Sequence, residues 1–180
     1  MSMSCQEEGV EMIFVGVDGG LSGGIIVLDN DGNIIKKIVM PVIKGKESKT
    51  QYDIQAIKNI LVALKNSNAD TIVAGLEKAQ VSHIGGKSSM FSKGFCYGMF
   101  QGLLTATEIS YQIFRPQDWQ KQVLAGIPGT DTKQRSIMWC KMKYPAEDWR
   151  ATQRSINDHD GLCDACCIAN YVRAKNGQQL

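Results

Sequence analysis

The first forty residues contain three short apolar runs separated by turn sequences, and this arrangement limits the folds open to the chain. The runs span residues 13–17, 23–28 and 34–40. A glycine-rich turn separates the first two, and an Asp-Asn-Asp-Gly turn at 29–32 separates the next two. We expect three strands that form an antiparallel meander, with the first two paired as a hairpin.

The rest of the chain alternates helical and strand patterns. Apolar residues recur at helical spacing over 52–65, and a β-rich run at 71–76 ends at Glu77. After a loop at 78–90 we expect a helix at 91–107, a strand at 111–114 and helices at 116–124, 132–144 and 161–175. This order predicts an α/β fold, with a mixed five-stranded sheet of three meander strands plus two parallel strands, and helices on both faces.

The length and composition fit a single domain. The chain has 180 residues, of which 43% are hydrophobic and 21% charged, enough for one core without disulfides or a structural metal. We expect a disordered tail at 1–11 and one domain at 12–176. No apolar run is long enough to span a membrane, and Glu7, Glu8 and Glu11 lie where a secretory signal would be apolar.

These features predict an intracellular protein with no membrane partner. It would be cytoplasmic in a bacterium or phage, and otherwise located in a host cell or an organelle matrix. The six cysteines are then expected to be reduced.

Basic residues are concentrated in the second half of the chain. Residues 113–154 hold eight basic and four acidic side chains, although the formal net charge of the whole chain is +2. A basic surface beside an acidic site suits a polyanionic substrate that requires metal ions. Surface charge scattered without function explains the count equally well.

Acidic residues lie at the ends of two predicted strands and around the start of the last predicted helix, which a mixed sheet brings together. Asp18 ends the first strand and Glu77 ends the fourth, while Asp158, Asp160 and Asp164 lie around the start of the last helix. Asp160 and Asp164 are four residues apart and share a helix face. Carboxylates gathered in this way titrate abnormally or hold cations.

Oxygen ligands favour Mg²⁺, with Mn²⁺ as a substitute. Two such ions activate a water molecule and stabilise the leaving oxygen of a phosphodiester. Turn chemistry at Asp18 and helix capping by Asp158 are the structural alternatives. Glu77 is harder to explain structurally, because a charge that ends an apolar strand inside a domain needs a partner.

Three acidic motifs resemble those of RuvC-type Holliday junction resolvases, most closely the phage and organellar branch. They are Val-Gly-Val-Asp-Gly-Gly-Leu-Ser-Gly-Gly at 15–24, Gly-Leu-Glu-Lys-Ala at 75–79 and His-Asp-Gly-Leu-Cys-Asp-Ala at 159–165. Ser-Lys-Gly-Phe-Cys-Tyr-Gly-Met at 92–99 and Arg-Pro-Gln-Asp-Trp-Gln-Lys at 115–121 are also similar to that branch. The resemblance covers about residues 13–173, and the order and spacing of the motifs make it specific.

The resemblance implies an RNase H-like fold, a homodimer, and metal-dependent symmetric cleavage of four-way DNA junctions with two Mg²⁺ ions per active site. Matched motif to motif, the metal ligands and catalytic residues would be Asp18, Glu77, Asp160 and Asp164. Lysines near the scissile phosphate would be Lys121 and Lys133, of which Lys133 is assigned to catalysis. The expected DNA contacts are Lys87, Lys93, Arg115, Lys121, Lys133 and Arg135, and His83 lies in the same glycine loop as Lys87.

Two departures from the family pattern leave alternatives open. Bacterial members space the last two aspartates three apart, whereas Gly161 stands three before Asp164. Asp158 is therefore a rival of Asp160 as the fourth ligand, and His159 is a more distant candidate. Bacterial relatives also carry an aromatic wedge after the motif glutamate, where this chain has Gln80.

Two further patterns have structural explanations. Gly94, Gly98 and Gly102 recur every fourth residue, which we interpret as close packing of a helix on the sheet, with a dimer contact as the alternative. Cys163 and Cys166 have a Cys-x-x-Cys spacing, but inside a predicted helix we expect buried small side chains rather than a zinc or redox site. We expect the three tryptophans in the core or an interface.

Other functions remain open from the residues. The same fold and carboxylates would serve a nuclease acting on RNA–DNA hybrids or flaps, or an inactive module that binds junctions. The glycine-rich turn after Asp18 also resembles the phosphate loop of sugar kinases and actin-like ATPases. Those proteins need a second lobe, for which this length has no room, so we expect no nucleotide cofactor.

Overall fold

The computed structural model describes residues 11–45, 49–67, 69–80 and 86–180, apart from the side chains of Lys87 and Ser89. Seven strands and five helices lie within these ranges. The strands are β1 (Met12–Asp18), β2 (Gly24–Leu28), β3 (Ile34–Val39), β4 (Val42–Lys44), β5 (Thr50–Tyr52), β6 (Thr71–Glu77) and β7 (Ser110–Phe114). The helices are α1 (Ile54–Lys65), α2 (Lys87–Ala106), α3 (Pro116–Val123), α4 (Thr132–Lys143) and α5 (Asp160–Lys175).

Five of the strands form one mixed sheet in the order β3-β2-β1-β6-β7. The β1–β2 and β2–β3 pairs are antiparallel, and the β1–β6 and β6–β7 pairs are parallel. The predicted meander plus two parallel strands is therefore confirmed. Its central strand, β1, is the first element of the described residues and has a partner strand on each side.

Side-chain alternation along β1 divides the core into two layers. Phe14 packs with residues of α3, α4 and α5, whereas Val15 and Val17 pack with residues of α1 and α2. Helices therefore cover both faces of the sheet, as the order of elements predicts. None of the helices within the described residues is long and apolar enough to cross a membrane.

The contact between β1 and α5 is close enough to exclude a side chain. A Cβ atom built on Gly16 would lie 2.0 Å from the carbonyl oxygen of Ala165 and 2.4 Å from the amide nitrogen of Ala169. At the start of the helix, a Cβ on Gly161 would lie 2.3 Å from the carbonyl oxygen of Ser22. Glycines at these positions let the helix backbone rest on β1 and on the turn that follows it.

The segment at 41–53 differs from the prediction. It contains a small second sheet in which β4 pairs with β5, so Tyr52 belongs to a strand and α1 begins at Ile54. Asp53 caps the helix, because its Oδ1 accepts a hydrogen bond from the Ala56 amide at 2.9 Å. Helical apolar spacing alone did not reveal this capping residue.

Two other predicted boundaries also change. Helix α2 begins at Lys87 rather than 91, so the predicted loop at 78–90 is shorter than expected; residues 81–85, with His83, lie outside the described residues. Glu11, the last residue of the predicted tail at 1–11, contacts the domain, because its amide donates to Asp70 Oδ2 at 2.9 Å. The remainder of that tail, 1–10, lies outside the described residues.

The interpretation of the glycine strip as a sheet contact is wrong. Gly94, Gly98 and Gly102 are exposed, and a Cβ built on any of them would meet none of the described atoms within 4 Å. Helix α2 instead buries Cys96, Phe100 and Leu104 against the sheet. The expectation for the cysteines is confirmed, since Cys163, Cys166 and the other cysteines within the described residues are free and buried.

The β1–α5 contact predicts opposite effects of one substitution at two glycines. We expect Gly16→Ala to lower the free energy of unfolding by about 3 kcal/mol or more, because the new methyl group overlaps the α5 backbone. Gly94→Ala should raise it by up to about 1 kcal/mol, since alanine favours a helix and a Cβ at this position meets no described atom within 4 Å. Urea denaturation of both variants measures the difference. An unchanged stability in Gly16→Ala would contradict the close contact.

Candidate functional site

Four carboxylates lie at one edge of the sheet. The parallel pairing of Val17 with Leu76 brings the next residues of β1 and β6, Asp18 and Glu77, to the same edge. Asp160 is the first residue of α5, and Asp164 lies four residues further along. The charges are close enough to act on one another, since Asp18, Asp160 and Glu77 each raise the pKa of Asp164. The structure therefore brings together the four acids that the motifs indicate.

Asp18 is a buried acid held by the turn that follows it. Its Oδ1 accepts a hydrogen bond from the Gly20 amide at 3.2 Å. Burial raises the pKa of Asp18, the Gly20 amide partly offsets that rise, and the charge of Asp160 adds to it. Asp18 therefore does form the expected turn contact, but it also lies within the group of acids.

Glu77 has a partner that the sequence did not indicate. The indole Nε1–H of Trp119 donates to Glu77 Oε2 at 2.8 Å, and Trp119 itself is almost fully buried in the core. Burial raises the pKa of Glu77, while the Trp119 hydrogen bond and the positive charge of Lys93 lower it in part. Trp119 thus orients the carboxylate, in addition to the packing role expected of it.

Asp164 is the acid of the group whose negative charge is least compensated by its surroundings. Its Oδ1 is buried and has no hydrogen-bond partner among the described residues. Burial, followed by the charges of the other three acids, raises the pKa of Asp164 to about 7, although Ser136 partly offsets the rise. A buried, unpaired carboxylate oxygen is costly unless a proton or a cation satisfies it.

Asp160, not Asp158, faces the other acids. Asp160 forms an ion pair with Lys133 of α4. Burial acts to raise the pKa of Asp160, but Lys133 outweighs that effect and the pKa is lowered. The charge of Lys133 also acts on Asp18 and Asp164, so its ammonium group lies among the carboxylates.

The two alternatives to Asp160 have other contacts. Asp158 pairs with Lys141 at 2.6 Å and forms a β-bridge with Arg150. His159, rather than Asp158, caps α5, because His159 Nδ1 accepts a hydrogen bond from the Leu162 amide at 3.1 Å. The geometry therefore favours Asp160 as the fourth member of the group.

The chemistry of the four acids suits a hard cation such as Mg²⁺. Within the described ranges, no three carboxylate, histidine or cysteine side chains already stand in a complete metal-binding arrangement. The orphaned Asp164 Oδ1 and the raised pKa values of Asp18, Glu77 and Asp164 nevertheless indicate negative charge that lacks compensation. All four donors offer oxygen, the ligand that Mg²⁺ prefers.

The expected DNA contacts have different surroundings. Lys93, Arg115 and Lys121 are exposed, and Arg115 pairs with Asp118 at 3.0 Å. Arg135 is half-buried and donates hydrogen bonds to the carbonyl oxygens of Leu124 and Ile127, which closes the loop after α3. Lys87 is the first residue of α2, and its side chain lies outside the described residues.

Two of the acids, Asp18 and Glu77, line a large cavity of about 1670 Å³, together with residues of β5 and the first turns of α2. Two side chains that line this cavity hold the turn after Asp18. The Tyr52 hydroxyl and the Cys96 thiol both donate to the Gly19 carbonyl oxygen, at 2.9 Å and 2.6 Å. Sequence analysis assigned neither residue a role, because they reach Gly19 from distant parts of the chain.

The unpaired carboxylate predicts that Asp164→Asn stabilises the metal-free protein. With its pKa raised to about 7, Asp164 stays protonated in the folded protein between about pH 4 and about pH 7. In the unfolded chain it is ionised over the same range. Its contribution to stability therefore falls as the pH rises from about 4 to about 7. We expect the Tm gain of Asp164→Asn to be about 2 °C or more larger at about pH 8 than at about pH 5, by thermal denaturation in EDTA.

The exposed Asp31 supplies a matched control. Asp31→Asn makes the same chemical change at an exposed position, away from the four acids. Equal Tm gains of Asp164→Asn at both pH values would contradict the buried, repelled state of the carboxylate.

The Trp119 contact predicts a change in the titration of Glu77. Trp119→Phe keeps an aromatic ring in the core but removes the N–H that stabilises the charged carboxylate. We expect the pKa of Glu77 to rise further, which can be followed by NMR of the labelled side-chain carboxyl. Trp139→Phe serves as the control, because that ring packs against Tyr144. An unchanged or lowered pKa in Trp119→Phe would show that the indole does not stabilise the charge.

Comparisons with known proteins find similarity in structure and not in sequence. No family model matches the chain, and no curated protein matches its sequence. Thermus thermophilus RuvC in complex with a Holliday junction substrate superposes with a TM-score of 0.58 at 12% identity, over 93% of this chain and 98% of that chain. A second structure of Thermus thermophilus RuvC gives 0.53 at 13% identity with the same coverage.

The yeast mitochondrial Holliday junction resolvase aligns less closely, at a TM-score of 0.45 and 11% identity over 91% of this chain and 80% of that chain. The two RuvC alignments extend over nearly the whole of both chains. The predicted fold is therefore confirmed: this chain has the RNase H-like fold of RuvC.

Proposed function

We propose that the protein is a metal-dependent endonuclease that resolves four-way DNA junctions. The observation that carries the proposal is the convergence of Asp18, Glu77, Asp160 and Asp164 at one sheet edge of a RuvC-like fold. One of the RuvC structures with this fold is a complex with a Holliday junction substrate. The fold alone does not define a substrate, so the proposal depends on the acids together with the basic residues around them.

The four acids are proposed to hold two Mg²⁺ ions. Bound there, the ions would lower the pKa of a water molecule and stabilise the oxygen that leaves phosphorus. The overall reaction adds water across one phosphodiester bond: a new P–O bond forms, one P–O bond to the sugar breaks, and the ends remain ligatable. The chain's contribution is to fix the acids before substrate binds.

Individual residues have distinct parts in this arrangement. Trp119 holds Glu77 through its indole hydrogen bond, and the backbone of Gly20 holds Asp18. Asp164 keeps one buried oxygen that has no hydrogen bond to any described residue and is available to a cation. Lys133 neutralises Asp160 in the absence of metal, and we expect its ammonium group to contact the scissile phosphate when DNA is bound.

The basic residues around the edge supply the DNA surface. Lys93 lies near enough to lower the pKa of Glu77, and Arg115 and Lys121 are exposed on the segment that begins α3. Cations at these positions would neutralise phosphates on either side of the cut. Lys87 and Arg135 remain predictions from the sequence, with Arg135 already engaged in two backbone contacts.

A homodimer is part of the proposal, because two symmetric cuts in a four-way junction require two active sites related by two-fold symmetry. Helix α2 offers a surface for this contact. Its exposed Gly98 and Gly102 would allow the backbone of a second helix to approach closely, and they cost helix stability in an isolated chain. Because these glycines do not pack on the sheet, their exposed spacing supports the dimer contact instead.

The proposal predicts paired nicks in a labelled four-way junction in the presence of Mg²⁺. The nicks should be placed symmetrically about the crossover, and they should disappear with EDTA or in Asp18→Asn. Asp160→Asn should reduce the rate by roughly a hundredfold or more, as expected for loss of a metal ligand. Asp158→Asn should reduce it far less, because Asp158 pairs with Lys141. Gly98→Leu should yield a monomer in light scattering and uncoupled single nicks.

Linear duplex, a flap and an RNA–DNA hybrid serve as competing substrates. Cutting of the hybrid or flap in preference to the junction would replace the proposed substrate with the alternative nuclease activity. Binding of the junction without metal-dependent cutting would indicate an inactive binding module. Equal losses in Asp158→Asn and Asp160→Asn would contradict the assignment of Asp160.

A further inference from the structure

One peptide unit in the turn after Asp18 is held by hydrogen bonds on both of its edges. This unit joins Gly19 to Gly20, and we call it the Gly19–Gly20 peptide. Its N–H, on Gly20, donates to Asp18 Oδ1 at 3.2 Å. Its carbonyl oxygen, on Gly19, accepts hydrogen bonds from the Tyr52 hydroxyl at 2.9 Å and from the Cys96 thiol at 2.6 Å. The carboxylate and the two side-chain donors are therefore bound to opposite edges of one peptide.

The planarity of that peptide links its two hydrogen-bonding groups. In a trans peptide the carbonyl and the N–H point in opposite directions and cannot turn independently. A donor that fixes the Gly19 carbonyl therefore also directs the Gly20 N–H toward Asp18. With a glycine on each side, the whole plane rotates at low cost, because neither residue has a Cβ. Hydrogen bonds from outside the turn are therefore needed to hold its orientation.

Tyr52 is suited to hold the Gly19 carbonyl. A hydroxyl is a stronger donor than a thiol, so Tyr52 contributes more than Cys96. Its side chain is 8% exposed and packs in the core between the sheet and helices α1 and α2, which fixes the position of the hydroxyl. Burial raises the pKa of Tyr52, so the hydroxyl keeps its proton at neutral pH.

The β4–β5 hairpin brings Tyr52 to the turn. Tyr52 is the last residue of β5 and pairs with Val42 of β4. Just before the hairpin, the Met40 amide donates to the carbonyl oxygen of Gly23 at 3.0 Å. The segment at 40–53 thus contacts the turn after Asp18 at both of its ends, at Gly19 and at Gly23. A small sheet that contributes little to the core therefore has a contact next to the acids.

We propose that Tyr52 is a positioning residue for the metal site, acting on Asp18 through the Gly19–Gly20 peptide. This inference rests on the proposed function, which gives Asp18 a cation to hold. A carboxylate whose rotation is already restricted binds a cation with a smaller loss of conformational entropy. Without the hydroxyl, the peptide is free to rotate, its N–H leaves Oδ1, and the carboxylate loses its fixed orientation.

Core packing alone is the competing explanation for Tyr52. Its ring stacks with that of Phe95, with centroids 6.0 Å apart, and lies among apolar residues. A large truncation would therefore destabilise the whole domain. Tyr52→Phe keeps the ring and removes only the hydroxyl oxygen, so it isolates the hydrogen bond to Gly19.

The first test measures hydrogen exchange of the Gly20 amide by NMR in EDTA, without metal or DNA. The Val15 amide, at the centre of β1, reports the opening of the whole domain. Tyr52→Phe should accelerate Gly20 exchange roughly tenfold relative to Val15, as expected for the loss of one hydrogen bond. Cys96→Ala should have a smaller effect, because a thiol is a weak donor. Equal acceleration of both amides in Tyr52→Phe would overturn the proposal.

The second test measures metal binding and turnover. Binding of Mn²⁺ to the DNA-free protein, followed by electron paramagnetic resonance, should weaken roughly tenfold in Tyr52→Phe. In junction cleavage, the Mg²⁺ concentration that gives the half-maximal rate should rise by a similar factor, and saturating Mg²⁺ should restore the wild-type rate. The KM for the junction should be unchanged. A raised KM with an unchanged Mg²⁺ requirement would overturn the proposal, because the hydroxyl would then act on DNA.

Tyr171→Phe provides the matched control. Tyr171 is 6% exposed and packs edge-on against Phe114, in the core on the other face of the sheet. The same chemical change is therefore made at a similarly buried tyrosine away from the Gly19–Gly20 peptide. It should alter neither the exchange of the Gly20 amide nor the binding of Mn²⁺. If Tyr171→Phe matched Tyr52→Phe in both measurements, the proposal would be overturned.

The exchange and Mn²⁺ measurements keep this inference separable from the proposed function, because neither requires a junction. If the wild type does not cut the junction while Tyr52→Phe still accelerates Gly20 exchange and weakens Mn²⁺ binding, the proposed function is wrong and the positioning role stands. If the wild type cuts the junction while Tyr52→Phe changes neither Gly20 exchange nor Mn²⁺ binding, the positioning role is wrong and the proposed function stands.

Discussion

The position of the candidate site depends on the contact between the backbones of β1 and α5. Gly16 and Gly161 allow the helix to rest directly on the strand and on the turn that follows it. That contact places Asp160 and Asp164 beside Asp18, while the parallel pairing of β1 with β6 adds Glu77. The acids repel one another and are partly buried, so their proximity has to be maintained by packing elsewhere. The large core formed by α3, α4 and α5 supplies that packing.

Much of the fold was predictable because its signals are local. The five strands of the main sheet are short apolar runs between turns, and α5 shows an apolar pattern that begins at a recognisable acidic segment. The β4–β5 hairpin was missed because its strands have three residues each and nearly all their side chains are exposed, which leaves no hydrophobic alternation to detect. Sequence spacing also gave the wrong environment for the glycine strip, since periodicity does not reveal which side of a helix faces the protein.

The acids of the site were predictable for a related reason: two end strands and two lie in the first turns of a helix. Their partners were not, because the Trp119–Glu77 and Tyr52–Gly19 contacts join residues that are 42 and 33 positions apart. The choice between Asp158 and Asp160 also required three-dimensional information. Asp158 precedes α5 and Asp160 begins it. It is the position of α4, with Lys133 paired to Asp160 and Lys141 paired to Asp158, that separates them.

The Gly16 contact has a mechanical consequence for the rigidity of the site. A helix whose backbone touches a strand cannot slide or tilt without collision, so β1 and α5 behave as one rigid wall beneath the acids. The opposite wall is joined differently: α2 rests on the sheet through the side chains of Cys96, Phe100 and Leu104, which can repack. A shift of α2 relative to the sheet therefore requires only that side chains repack, whereas a shift of α5 would bring backbone atoms into collision and change the spacing of the acids.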